Sequence, residues 1–142
     1  MPVTRSKTEA QMEKENYYRN LFFIGAIWNW MVAIVSTFFY HPMFRLLGMD
    51  DPVYPGILYT FFGVVFVFGI GYYWISRDLE NNDNIVKMGI LGKTWVFAVA
   101  LYYAIVGDFH WLLVLPGTVD LVFAGLFIEF LFWKTRRASV PG

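Results

Sequence analysis

The chain has 142 residues, of which 58% are hydrophobic and only 15% charged, and its formal net charge is zero. A soluble domain of this length cannot bury so large an apolar fraction, which places the chain outside the ordinary soluble class. The balanced charge gives no electrostatic case for nucleic-acid binding, and the lack of cysteine excludes disulfides, thiolate metal sites and cysteine nucleophiles.

The N-terminal tail, residues 1–16, is polar and predicts a solvated helical stalk that continues into the first apolar span. That span is too long for the hydrophobic region of a signal peptide, and no small-residue cleavage site follows it, so we expect it to remain in the mature protein. Residues 17–134 then form a predicted transmembrane domain, and residues 135–142 form a basic C-terminal tail.

Four apolar stretches follow one another along the chain, each long enough at about 1.5 Å per residue to cross a hydrocarbon core of about 30 Å. They cover Tyr18–Tyr40, Pro55–Ile75, Ile85–Val106 and Trp111–Trp133. Tyr and Trp rings favour the headgroup level, and those near the span ends are Tyr17, Tyr18, Tyr40, Tyr54, Tyr72, Tyr73, Trp74, Trp111 and Trp133. The pattern predicts an all-α membrane protein, a four-helix antiparallel bundle.

The connections between the spans are short and rich in turn residues. In the first, Pro42 and Gly48 lie where a helix tends to start and stop, so His41–Gly48 predicts a separate short helix at the membrane surface. Asp78–Asn84 predicts a second hairpin and Gly107–His110 a tight third one.

Basic residues collect on one side of the predicted membrane, because the other side holds only Arg45 and Lys93 lies inside a span. The basic side comprises Arg5, Lys7, Lys14, Arg19, Arg77, Lys87, Lys134, Arg136 and Arg137. Cytoplasmic flanks of membrane spans are enriched in Lys and Arg. We therefore expect both termini to be cytoplasmic.

Lys93 and Asp120 are charged residues deep inside predicted spans three and four. A charge near the bilayer centre costs at least about 2.5–3.5 kcal/mol on insertion scales, so such residues mark structural or functional sites. Lys93 lies 14 residues before Gly107 and Asp120 lies 13 residues after it, which predicts similar depth and allows the two side chains to pair. Asn29 reaches a comparable depth on span one, and Tyr103 is a further polar candidate.

Two interpretations of this polar set are open. In the first, Lys93 and Asp120 form a buried ion pair that fixes the register of their helices, while Asn29 satisfies a leftover donor. In the second, the same residues line a site that relays protons or holds a polar ligand group, such as a carboxylate on Lys93.

Small residues share helix faces with this set: Gly25, Asn29 and Ala33 recur every four residues on span one, and Gly117 lies near Asp120 on span four. In lipid, small residues let helix backbones approach each other closely. These stripes predict the packed interior of the bundle, and Gly25 and Gly117 are also candidates for contact with a partner.

Glu129 follows Asp120 by nine residues, which places it about 180° around the helix and outside the same site. We expect it to reach the membrane interface or to pair with a basic residue such as Lys134 or Arg77. The alternative is a contact with another subunit or partner.

The sequence contains no motif that identifies catalytic residues. It has no Walker loop, no dinucleotide fingerprint, no Gly-x-Ser-x-Gly and no di-iron motif. His41 and His110 lie in connections and their spacing matches no metal motif, so we predict neither a metal site nor a cofactor. Whether the chain is an enzyme stays open.

The four-span layout and two sequence runs resemble those of small bacterial inner-membrane proteins of the DoxX-like kind. The runs are Gly89–Lys93, Gly-Ile-Leu-Gly-Lys, and Pro116–Phe127, Pro-Gly-Thr-Val-Asp-Leu-Val-Phe-Ala-Gly-Leu-Phe. The resemblance is one of architecture and carries no catalytic motif. It implies a multi-pass protein of the inner (plasma) membrane.

Three hypotheses for function follow. The first is an accessory or ligand-binding subunit whose partners are membrane lipid, a lipophilic ligand such as a quinone, or a larger membrane protein. The second is a proton- or ion-coupled transporter of small solutes, which requires a homo-oligomer because four helices rarely enclose an aqueous path. The third is an enzyme that uses Asp120 as acid or base on a lipid-borne substrate.

Overall fold

The structure is a computed structural model that describes residues 3–139, with side chains from residue 8 onward. This part of the chain contains no strand. Its elements are α1 (Val3–Leu46), α2 (Pro55–Arg77), α3 (Asp83–Val106), a 3-10 turn (Trp111–Leu113) and α4 (Val114–Ala138). All four α-helices are long and apolar enough to cross a membrane. The prediction of an all-α protein with four membrane-spanning helices is thus confirmed.

The helix ends follow from local chemistry. Pro55 begins α2, at a position where the missing N–H leaves no donor unpaired. At the other end of α2, Nη1 of Arg19 donates hydrogen bonds to the carbonyls of Ser76 (3.1 Å) and Arg77 (3.0 Å), which have no partner within the helix. Gly107 ends α3 with φ of +91°, a left-handed conformation that favours glycine.

The predicted separate helix at His41–Gly48 is wrong, because α1 continues unbroken through Pro42 to Leu46. Proline removes one helical hydrogen bond but holds φ near the helical value, and a break would leave more backbone groups unpaired. The predicted stop is where α1 ends: Gly48 has φ of +68°, and the N–H of Met49 bonds the carbonyl of Phe44 at 2.9 Å.

The helices pack as two pairs, α1 against α2 and α3 against α4, whereas α2 and α3 touch over a short stretch only. The pairs meet through a core at the end of the bundle that contains both described chain ends. The members of this core are Tyr18, Leu21, Phe22, Ala26, Tyr72, Ile75, Leu79, Val86, Phe123, Phe127 and Phe130. We call this part of the bundle the terminal half. It comprises α1 up to Asn29, α2 from Phe68 onward, α3 up to Lys93 and α4 from Asp120 onward.

Close ring and glycine contacts hold the two pairs together in the terminal half. The ring centroid of Phe22 lies 4.6 Å from that of Phe127, and that of Tyr72 lies 5.1 Å from Phe127. Gly89 approaches Tyr72 so closely that a Cβ atom there would lie 2.7 Å from the ring. Tyr18 and Tyr72 are each only 1% exposed, so both rings pack inside the protein rather than on its surface.

The remaining part of the bundle, which we call the distal half, differs. Among the described residues, no hydrogen bond, ion pair or ring contact joins the two helix pairs beyond Asn29, Lys93 and Asp120. Large apolar side chains are exposed in both halves, such as Phe38 (74%) and Ile57 (72%) in the distal half and Leu91 (71%) in the terminal half. The terminal half therefore carries the polar and aromatic contacts between the pairs.

Candidate functional site

Polar side chains from three helices meet at one ammonium group on the boundary between the two halves. Lys93 lies on the buried stripe of α3 and is 4% exposed. Its Nζ donates hydrogen bonds to Oδ1 of Asp120 (2.5 Å) and to Oδ1 of Asn29 (3.0 Å). Together with Trp28, these residues make up what we call the polar cluster.

Two aromatic rings complete the surroundings of Lys93. Its Nζ lies 5.1 Å from the ring centroid of Tyr72 on α2 and 5.2 Å from that of Phe123 on α4. The electron-rich face of a ring attracts a cation at such distances, most strongly where water is excluded. All four helices thus contribute to the environment of one charge.

Asn29 is held at both ends of its amide. Its Nδ2 donates to the carbonyl of Val65 at 3.0 Å, and its Oδ1 accepts from Lys93. Because an amide has a donor end and an acceptor end, the bond to Val65 turns the oxygen towards the ammonium. Asn29 therefore connects the backbone of α2 to the polar cluster.

Asp120 is satisfied at one carboxylate oxygen only. Oδ1 accepts from Lys93 and, at 3.2 Å, from Nε1 of Trp28, while Oδ2 accepts no hydrogen bond from a described residue. Of the fully buried side-chain nitrogen and oxygen atoms in the described chain, only Nε1 of Trp30 lacks a partner. Oδ2 of Asp120 is therefore not sealed inside the protein, in agreement with a side chain that is 17% exposed.

The structure does not bring Tyr103 to this cluster. Tyr103 lies ten residues beyond Lys93, about 15 Å along α3. It is 39% exposed, and its ring packs against Tyr102 (5.2 Å) and Phe109 (5.4 Å) near the end of the helix. In the described structure Tyr103 has no contact through which it could act on Lys93.

Glu129 lies beside a basic residue, but that residue is Lys14 on α1 rather than Lys134 or Arg77. Glu129 accepts a hydrogen bond from the hydroxyl of Tyr18 at 2.8 Å and lies 4.0 Å from Nζ of Lys14, both on α1. Lys134 is occupied elsewhere. The Glu129 side chain is 50% exposed, so its role in a partner contact stays a prediction.

Gly25 and Gly117 both face helices of their own chain. A Cβ atom at Gly25 would lie 3.6 Å from the rings of Phe123 and Phe127 on α4. At Gly117 it would lie 3.3 Å from the Cα atom of Phe97 on α3. A Cβ atom at Gly117 would thus be tight against the backbone of α3, whereas one at Gly25 would make an ordinary contact. A partner contact at either glycine stays a prediction.

A second set of ionic contacts lies at the helix ends of the terminal half. Nζ of Lys134 bonds Oδ1 of Asp83 at 2.6 Å and the carbonyls of Leu79 (3.1 Å) and Glu80 (2.5 Å). Arg137 bonds Oε1 of Glu15 at 2.5 Å and also contacts Glu80. We call this set the end network, and it fastens the α2–α3 connection to α1 and α4.

Asp78 organises the α2–α3 connection itself. The Asn81 side chain and the backbone N–H groups of Glu80 and Asn81 donate to its carboxylate. These bonds, led by that of the Asn81 side chain, together with the nearby charge of Lys134, hold the pKa of Asp78 below the ordinary aspartate value.

The two histidines make local contacts. Nδ1 of His41 lies 2.6 Å from Oδ1 of Asp51, and Nδ1 of His110 accepts the N–H of Leu112 at the start of the 3-10 turn. In the part of the chain that the structure describes, no group of three or more His, Asp or Glu side chains could hold a metal ion.

Comparison of the chain with protein-family models, curated proteins and solved structures gave no match. The resemblance to DoxX-like proteins stays a prediction from the sequence.

Proposed function

We propose that the chain is a multi-pass membrane protein that binds a lipophilic small molecule at the polar cluster, as an accessory or ligand-binding subunit. The observation that carries this proposal is the carboxylate of Asp120, which is paired on one oxygen and open on the other, within a helix that can span a membrane.

A purely structural ion pair would be closed on all sides. Moving a polar group from water into hydrocarbon without a hydrogen-bond partner costs roughly 2–7 kcal/mol, a range that reflects different reference states. Lys93 meets this requirement by burial among Asn29, Asp120 and two rings. Asp120 does not, so a polar group of a bound molecule at Oδ2 would complete the cluster.

The chemistry present favours binding over catalysis. The cluster consists of an amine, a carboxylate, an amide and an indole, and among the described side chains no serine or threonine hydroxyl bonds to any of them. Asp120 acting on a lipid-borne substrate would need a nucleophile or an activated water in addition. A ligand-binding subunit needs neither.

The test compares what stays bound to the protein after gentle extraction from its own membrane, by native mass spectrometry. The double variant Lys93→Met/Asp120→Leu removes both charges and keeps side chains of similar size, so folding is preserved. We expect a small molecule on the wild type and on the control Leu91→Ala, whose side chain is 71% exposed. Equal occupancy in the double variant would refute a site at this cluster.

We further propose an antiparallel arrangement in an inner membrane with both termini in the cytoplasm, supported by the basic residues near the chain ends. The chain lacks cysteine, so single-cysteine variants can be labelled without background. A membrane-impermeant maleimide should label Asp50→Cys in intact spheroplasts and Ser139→Cys only after permeabilisation. The opposite result would reverse the topology.

A proton- or ion-coupled transporter is the second candidate, and the ionisable pair at membrane depth is the observation that favours it. The aromatic core formed by Phe22, Phe127 and Phe130 fills the terminal half of one chain, so a path would have to run between copies in a homo-oligomer. Proton flux into liposomes that is lost in Asp120→Asn, with the fold intact, would favour the transporter.

A further inference from the structure

We infer that the polar cluster recognises a hydrogen-bond donor, a hydroxyl or an amine on an otherwise apolar molecule, which binds at Oδ2 of Asp120. This inference rests on the proposed function and names the class of ligand. It differs from the expectation that a ligand carboxylate binds Lys93.

The donors of the cluster are already engaged. Nζ of Lys93 donates to Asn29 and Asp120, and its remaining N–H lies among the rings of Tyr72 and Phe123 on a side chain that is 4% exposed. Nε1 of Trp28 donates to Asp120. Nδ2 of Asn29 donates to Val65. A ligand acceptor, such as a ketone or an ester, would therefore have to displace a protein group.

The open position of the cluster is an acceptor. A carboxylate accepts hydrogen bonds at both oxygens and donates none when ionised. Oδ1 of Asp120 already has two donors, whereas Oδ2 has none in the described chain and is not sealed. A hydroxyl or an ammonium group at Oδ2 would form a charge-assisted hydrogen bond, which is stronger than a bond between neutral groups.

Charge repulsion strengthens this selectivity. A ligand carboxylate or phosphate that approached Oδ2 would meet a like charge in apolar surroundings, where Coulomb repulsion is weakly screened. The residues beside Asp120 on α4, Val119 (36% exposed) and Leu121 (38% exposed), are apolar. The rest of the ligand therefore meets hydrocarbon side chains, as a lipophilic alcohol or amine requires.

The experiment uses four probes with the same alkyl chain and different headgroups: hexadecanol, hexadecylamine, hexadecyl methyl ether and hexadecanoate. Each carries a diazirine at the same position of the alkyl chain, near the headgroup but not on the carbon that bears it, and the wild-type protein is reconstituted in phosphatidylcholine nanodiscs. Photolysis and peptide mapping by mass spectrometry then measure labelling around Trp28 and Asp120. We expect the alcohol and the amine to label this region at least about tenfold more than the ether and the acid, the ratio for one charge-assisted bond.

The variant Asp120→Asn sharpens the test because it changes one atom. Its carbonyl oxygen can still accept from Lys93, which places an amide N–H2 where Oδ2 was. The amide N–H2 can donate to the oxygen of the ether, the acid or the alcohol, but not to an ammonium group, which only donates. Labelling by the ether and the acid should therefore rise towards that by the alcohol, and labelling by the amine should fall. Thermal unfolding checks that the variant is folded, and if it is not, the wild-type probe series decides alone.

The outcomes separate this inference from the proposed function. Site-specific labelling by hexadecanoate or the ether at the level of the alcohol would overturn donor selectivity and leave a ligand site in place. If no probe labels the Trp28 and Asp120 region above the level found at exposed Leu91, both the inference and the ligand site at this cluster are wrong.

Discussion

The polar cluster and the end network both hold helices together by ionic contacts, but they do so in different surroundings. Lys93 is 4% exposed and meets Asp120 and Asn29 between apolar helices. In the end network, Arg137 is 28% exposed and Glu80 is 53% exposed. Charges attract more strongly where water is excluded, and exposed ion pairs contribute only about 0–1 kcal/mol. Breaking one partner of the polar cluster should therefore lower the free energy of unfolding more than breaking a contact of the end network.

The largest effect is expected for Lys93→Ala, which leaves Asp120 without its cation. Removal of one partner from a buried pair costs about 3–5 kcal/mol. Reversible unfolding in mixed detergent and SDS micelles measures this loss. The control is Lys93→Met/Asp120→Leu, which should stay within about 1 kcal/mol of the wild type, because neither charge is left unpaired. If Lys93→Ala were as stable as Lys93→Met/Asp120→Leu, an unpaired Asp120 would cost nothing, and the prediction would be wrong.

The next effect compares the two halves through a matched pair of glycines. In Gly89→Ala, the new Cβ atom would lie 2.7 Å from the Tyr72 ring in the terminal half, and overpacking of this kind costs about 1–3 kcal/mol. In Gly63→Ala, the Cβ atom in the distal half would meet nothing within 4 Å, so helix propensity should raise stability by up to about 1 kcal/mol. Equal effects in the same unfolding assay would mean that the halves are equally packed.

A smaller loss is expected for Arg137→Ala, although Arg137 contacts Glu15, Glu80 and the ring of Trp133. Because these contacts are partly exposed, the loss should be below about 1 kcal/mol and should shrink as salt is added. Unfolding at low and high ionic strength measures both. If the loss were as large as that of Lys93→Ala, burial would not explain the difference in stability between the polar cluster and the end network.

The smallest effect concerns the acid range of pH. The pKa of Asp78 is lowered in the folded protein by the donors of Asn81 and Glu80. Its contribution to stability is therefore present above the pKa of the unfolded chain and is lost as pH falls through the folded pKa. Asp78→Asn should flatten this part of the pH profile of unfolding, and an unchanged profile would mean that other carboxylates cause it.

Much of the fold could be predicted because a membrane allows few solutions. A spanning segment must satisfy its backbone internally, so length and hydropathy are enough to identify four helices. At His41–Gly48 the proline signal is ambiguous, because proline is favoured at a helix start but costs only one backbone hydrogen bond inside a helix. In the structure α1 continues through Pro42.

The candidate site was only partly predictable. Counting residues from Gly107 indicated similar depth for Lys93 and Asp120, and the structure places their side chains 2.5 Å apart. Depth does not give the rotation of a helix about its axis, so Trp28 and Tyr72 were missed as neighbours. Gly89, one turn before Lys93, was the available signal, because it leaves room for the Tyr72 ring.

The unbroken course of α1 has a mechanical consequence. Its 44 residues extend for about 66 Å at about 1.5 Å per residue, more than twice a hydrocarbon core of about 30 Å. Pro42 is the only proline in α1, and an uninterrupted helix curves only gently. The segment from Glu15 to His41 is therefore one stiff rod, and the polar cluster is attached near its middle at Asn29.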